Sequence, residues 1–174
     1  MSTTLVDWPA RVHATLQAAA VRQVGFVPDA GLTELIEHCQ TDPGISDVLL
    51  ATEEEGVALA IGAWLGGDRA ALLMQSSGVG NCINAFAALR TCRVPLLMIV
   101  TMRGDWGETN PWQIPLGQSA QRHLELADII THKVSAVEDV APAVGAATQM
   151  AFESSEAVAV LISQRVIGAK TFEG

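Results

Sequence analysis

The chain has 174 residues, of which 49% are hydrophobic and 17% charged, with a formal net charge of -9 at pH 7. That length closes one core without metals or disulfides, and an acidic chain with only ten scattered Lys and Arg lacks the basic face that nucleic acid requires. So large an apolar share also predicts that part of the surface meets another chain in an oligomer.

In chain order, residues 10–24, ARVHATLQAAAVRQV, set Val12, Leu16, Ala19 and Ala20 at helical spacing, with Gly25 as a stop. VGFVPDAG follows as a short apolar run closed by Pro28 and Asp29, and LTELIEHC resumes helical spacing at Leu32, Leu35, Ile36 and Cys39. The alternation repeats: VLLAT leads into EEEGVALAIGAWLGG, AALLMQ into VGNCINAFAALR, and PLLMIVTM into a long irregular loop from Met102 to Pro115, with AVAVLIS near the end. Strands are expected near 24–28, 47–52, 70–75, 95–101, 131–135 and 157–162. Their unbroken apolar runs suit strands buried on both faces. Strands alternating with helices imply α/β architecture: a three-layer αβα sandwich with a six-stranded parallel sheet. One domain over 1–174 is expected, with its core at about 10–165 and a tail at 166–174.

Cys39, Cys82 and Cys92 are odd in number and form no C-x-x-C pair, so they read as reduced core thiols of a cytoplasmic protein. The first thirty residues mix Asp7, Arg11, Arg22 and Asp29 with short apolar groups, which predicts neither a leader nor a membrane span.

In open parallel sheets, ligands sit outside the carboxyl ends of the strands. That rule selects three polar groups: Thr52 and Glu53; Gln75 through Asn81; and Met102 through Asp105. Gly78 and Gly80 would let backbone approach a ligand, or they mark a tight turn capped by Ser77 or Asn81. The run lacks both nucleotide fingerprints, G-x-x-x-x-G-K-[ST] and G-x-G-x-x-G. Glu53, Glu54 and Glu55 suit the positive end of a helix dipole. The helix they open is so apolar, however, that one of them is expected to point inward, where a carboxylate must be paired or protonated. Arg103 could grip an anion bidentately or pair with Asp105 or Glu108. None of His13, His38, His123 and His132 is expected to be catalytic, and Trp106 and Trp112 read first as interface residues.

ATEEEGVALAIGAWLGG, then AALLMQSSGVGNCINAFAAL, then MRGDWGETNPWQIPLGQ, taken in that order, resemble the pyrimidine-binding domain of thiamine diphosphate enzymes, in the sulfopyruvate and phosphonopyruvate decarboxylase branch. The resemblance implies that Glu53 is the glutamate that meets the ring nitrogen of the cofactor's aminopyrimidine. It also implies that Thr52, Ser76, Ser77, Gly78, Gly80, Asn81 and Pro28 line the cofactor. Arg103, Gln113 and Gln118 are the implied substrate residues, Arg103 as the grip on a sulfonate or phosphonate. The family's G-D-G and paired Asn of the diphosphate half are absent from the sequence. A second, diphosphate-binding beta subunit is therefore implied, carrying Mg2+ in an α/β hetero-oligomer that acts on a small anionic 2-oxo acid. No metal is expected on this chain. Decarboxylation or carboligation of another 2-oxo acid, and a non-catalytic regulatory subunit that keeps the fold, are the other readings.

Overall fold

The structure is a computed structural model and describes residues 7–168. Helix α1 (Trp8–Ala18) begins where Asp7 caps it, Oδ1 accepting from the Ala10 amide at 3.0 Å, with Pro9 in the first turn. It then gives way to β1 (Val21–Phe26), α2 (Thr33–Thr41), β2 (Ser46–Leu49), α3 (Glu53–Gly66) and β3 (Arg69–Gln75). After these come α4 (Ser76–Cys82), α5 (Phe86–Cys92), β4 (Leu96–Thr101), α6 (Ile114–Leu126), β5 (Ile130–Val134), α7 (Val140–Ser154), β6 (Ala157–Ile162) and α8 (Gln164–Ile167).

All pairings are parallel, in the order β2-β1-β3-β4-β6-β5. The alternation of the central strands divides the core in two. Ala71, Leu73, Leu97, Ile99, Val158 and Val160 face α1, α2 and α7; Leu72, Met74, Met98, Val100 and Leu161 face α3, α4, α5 and α6. Each Val, Leu, Ile or Met side chain fully buried in this way contributes about 1.5–3 kcal/mol. The connections from β2 to β3, β3 to β4 and β4 to β5 run toward one edge over the second face. Those from β1 to β2 and β5 to β6 run back over the first. All five therefore share one hand, as parallel crossovers demand. The predicted αβα sandwich with six parallel strands is the observed architecture.

Several boundaries differ from expectation. The first helix ends at Ala18 rather than 24, because Ala20 takes a left-handed turn (φ 54°) and Val21–Phe26 pair as an inner strand. Gly25 therefore stops no helix. It lies within β1, where a Cβ would stand 3.0 Å from Leu59 of α3. β2 is shorter than 47–52 and, as an edge strand, is largely exposed rather than buried on both faces. Helix α3 buries one stripe, Glu53, Gly56, Val57, Ala60 and Ala63, and leaves Leu65 80% exposed, so it is not enclosed on most sides. QSSGVGNCIN is not a turn: α4 starts at Ser76 directly after β3, and neither Ser77 nor Asn81 caps it. Of the thiols, Cys39 and Cys82 are buried, but Cys92 is exposed. Of the expected tail at 166–174, residues 166 and 167 belong to helix α8 (Gln164–Ile167), and 169–174 lie outside the described residues. No described helix is long and apolar enough to cross a membrane.

Candidate functional site

The strand order reverses between β1 and β3, the place where open α/β sheets hold ligands. Asp29, just beyond β1, gathers the carboxyl ends of three strands there. Its Oδ1 accepts from Gln75 Nε2 at 2.7 Å, and its Oδ2 accepts from Thr101 Oγ1 at 2.8 Å and the Gly31 amide at 3.0 Å. Gln75 and Thr101 are register partners on β3 and β4, and Ser77 Oγ donates to Gln75 Oε1 at 2.9 Å. Pro28, beside this hub, is exposed.

Glu53 is the first residue of α3 and only 6% exposed, whereas Glu54 and Glu55 are exposed. Thr52 caps the helix through its backbone alone, its carbonyl accepting from the Glu55 amide at 3.2 Å, with no side-chain cap. Glu55 Oε2 accepts from the Ala51 amide at 2.8 Å, so it finishes the helix start. Glu53 instead turns toward α4, where its Oε2 accepts from Asn81 Nδ2 at 2.7 Å. A Cβ on Gly78 would fall 2.4 Å from Glu53 Cγ and 2.6 Å from Oε1, so glycine alone fits beneath the carboxyl. Glu53 Oε1 has no donor among the described residues. Every fully buried side-chain oxygen there has a partner, so Oε1 opens to the surface and can receive a ligand's donor. Burial chiefly, then the negative charges of Glu53 and Glu54, push the nearby Cys82 thiol up to about 12, which keeps it neutral.

Ser76 and Gly80 are occupied within the protein. Ser76 Oγ accepts from the Arg103 amide at 3.0 Å, and Gly80 gives room to Leu116 of α6, 2.9 Å from an added Cβ. Arg103 is 5% exposed and pairs with Glu108, Nε to Oε2 at 2.5 Å and Nη2 to Oε1 at 2.8 Å. Glu108 also accepts from the Asn110 amide at 3.0 Å and from Gln164 Nε2 at 3.0 Å. Hydrogen bonding from Arg103, offset in part by burial and aided by Asn110 and Gln164, holds its carboxyl at about 2. Of the two partners weighed for Arg103, Glu108 is the one it meets. Asp105 instead accepts from the Gln164 amide at 3.1 Å. The pairing leaves Arg103 Nη1 with no acceptor among the described residues.

Gly104 (φ 74°) and Gly117 let this loop lie on α6; a Cβ on Gly117 would be 1.6 Å from the Arg103 carbonyl oxygen. Gln113 stands just before α6. Gln118 is exposed and lines a cleft of about 210 Å³ with Met102, Asp105, Gln121 and Lys133. A larger cleft of about 420 Å³ lies at the opposite end of the strands from Glu53, between Arg93, Asp128 and Glu156. Thr101, Gln164 and Gly117 were not singled out as site residues. The signal for Thr101 and Gln164 was a polar residue at or just beyond the end of an apolar strand run.

Residues 10–128 match the family described as thiamine pyrophosphate enzyme, N-terminal TPP binding domain. The chain is 34% identical over 151 residues to the sulfopyruvate decarboxylase subunit alpha of Methanocaldococcus jannaschii, covering 86% of this chain and 89% of that one. With the subunit of that name from Methanothermobacter thermautotrophicus it shares 34% over 158 residues, 90% and 96% of the two chains. A phosphonopyruvate decarboxylase of Streptomyces viridochromogenes is 36% identical over 118 residues, 67% of this chain but 30% of that one. A 2-oxoglutarate:ferredoxin oxidoreductase from Magnetococcus marinus superimposes with a TM-score of 0.75 at 15% identity, over 92% of this chain and 29% of that chain, and shares the fold.

Proposed function

Because the chain belongs to the thiamine pyrophosphate enzyme family, as an N-terminal TPP binding domain of the sulfopyruvate decarboxylase alpha-subunit kind, we propose that it is one subunit of a thiamine diphosphate-dependent 2-oxo acid decarboxylase. The observation that carries this reading is Glu53: a nearly buried carboxyl at the carboxyl rim of a parallel sheet, with Oε2 held by Asn81 and Oε1 free for a donor. Those residues fit an aminopyrimidine, whose ring nitrogen would share a proton with Glu53 Oε1. Gly78 packs beneath that point and Asn81 holds the other oxygen; Thr52, Ser77 and Pro28 would line the ring from the neighbouring strand ends, with Ser76 and Gly80 shaping α4 behind it. When bound, thiamine diphosphate supplies the electron sink that accepts the pair released as the substrate's carboxylate leaves as CO2.

A beta subunit would complete the cofactor site and hold its diphosphate and Mg2+. Two observations support this: the relatives of matching length are named as alpha subunits, and the chain spans about 30% of the single-chain relatives. The substrate would be sulfopyruvate, giving sulfoacetaldehyde. Phosphonopyruvate is the second reading, favoured by the Streptomyces relative. The second anionic group of either would be met by Arg103 through Nη1, which Glu108 holds in place, together with Gln113 and Gln118.

Calorimetry of thiamine diphosphate and Mg2+ with this chain, with its partner and with the complex tests the proposal. Binding in the complex alone, with CO2 release from sulfopyruvate, is the expected result. Full binding by this chain alone would misplace the diphosphate. Binding in no combination would leave a non-catalytic subunit.

A further inference from the structure

Asn81 follows Gly78 by three residues on α4, so both address the same neighbour, the first residue of α3. The terminal torsion of a glutamate is broad and two-fold. A backbone that merely presents Glu53 would therefore leave the plane of its carboxyl, and so the direction of its rim-facing oxygen, undefined. Two contacts on α4 remove that freedom: Asn81 Nδ2 claims Oε2 at 2.7 Å, and the bare Cα of Gly78 packs beneath Oε1 and Cδ.

We propose that Asn81 is a positioning residue for Glu53, holding Oε2 so that Oε1 alone meets the ring nitrogen of the cofactor. This rests on the reading of Glu53 given above, but does not follow from it, since backbone amides at the start of a helix could have held the carboxyl as well. The amide is needed as a donor. An aspartate of the same size would bring a second carboxylate against Glu53, and a serine would be too short to span the gap between α4 and α3.

The test uses the reconstituted complex and calorimetric affinities for two ligands, thiamine diphosphate and its analogue with the ring nitrogen replaced by C–H, each with Mg2+. The wild type is expected to prefer the cofactor, and Glu53→Ala to abolish that preference. Asn81→Ala should lose about tenfold of the preference, or about 1.4 kcal/mol, over and above any change in its affinity for the analogue. Asn81→Asp should lose at least as much. If the Asn81 variants weaken both ligands equally, or neither, Asn81 has a merely structural role and the inference is overturned. If the wild type itself does not discriminate, the reading of Glu53 fails first and the inference falls with it.

Discussion

Three consecutive carboxylates open α3, and their side chains divide the work. Glu54 and Glu55 stay in water near the positive end of the helix dipole, where acids are favoured by a few tenths of a kcal/mol to about 1 kcal/mol. Glu53 is nearly buried and has one donor among the described residues, which suits the proposed role of its second oxygen. Glu53→Gln, nearly isosteric, is therefore expected to lower turnover of the complex by roughly 10²–10⁴-fold, with an unchanged melting curve as the control. Gly78→Ala should act on the same carboxyl from below: the new Cβ, 2.4 Å from Glu53 Cγ, must displace it. Loss of cofactor affinity and a destabilisation of about 1–3 kcal/mol should appear together in calorimetry and denaturant unfolding. The sequence singled out Glu53 through its motif. The role of Asn81 was illegible, because it depends on the angle at which α4 crosses the start of α3, which no spacing within either helix encodes.

At the scale of elements, the segment from Met102 to Gln113 is held at its start by Ser76, which accepts from the Arg103 amide, and at its middle by Gln164, which meets Glu108 and the Trp106 amide. Arg165 adds its guanidinium 3.5 Å from the centre of the Trp106 ring. The Glu108 carboxyl is lowered on folding from 4.5 to about 2, so its stabilisation is fully present above pH 4.5 and is lost as pH falls through about 2. Thermal midpoints measured between pH 5 and pH 2 should fall more steeply for the wild type than for Glu108→Gln. Equal slopes would mean that the pair contributes nothing to folding. Glycine substitutions separate the helices: Gly117→Ala drives a methyl into the Arg103 carbonyl and should cost about 3 kcal/mol or more. Gly62→Ala on α3 meets nothing within 4 Å and should stabilise by about 0.5–1 kcal/mol. Element types were legible wherever an apolar run was central in the sheet, as in β3, β4 and β6. Legibility failed at the edge, where β2 takes in the polar Ser46 and Asp47, stops at Leu49 and leaves that leucine exposed. It failed also at Ala20, where a left-handed turn stands without the glycine that would announce it.

For the whole molecule, part of the apolar excess that forecast a partner stands on the surface. Leu65 of α3, Trp112 ahead of α6 and Leu126 at its end are 80%, 87% and 83% exposed, all on or beside helices of the second face. Exposed side chains of this size are ordinary singly, so the forecast is tested by protection: hydrogen exchange around residues 112–126 should slow on adding the proposed partner subunit, and unchanged exchange would put the contact elsewhere. The strand order also governs events in time. Among the described residues, β5 pairs only with β6, and β6 is the last strand in chain order. Until it emerges, β5 has no place in the sheet and the outer edge of β4 stays open, an interval on the order of seconds at about 5–20 residues per second. A nascent chain with an unpaired edge of LLMIVT is exposed to mispairing throughout that delay. Yield during synthesis should therefore depend on how fast residues 135–162 are translated, a vulnerability absent from the finished protein.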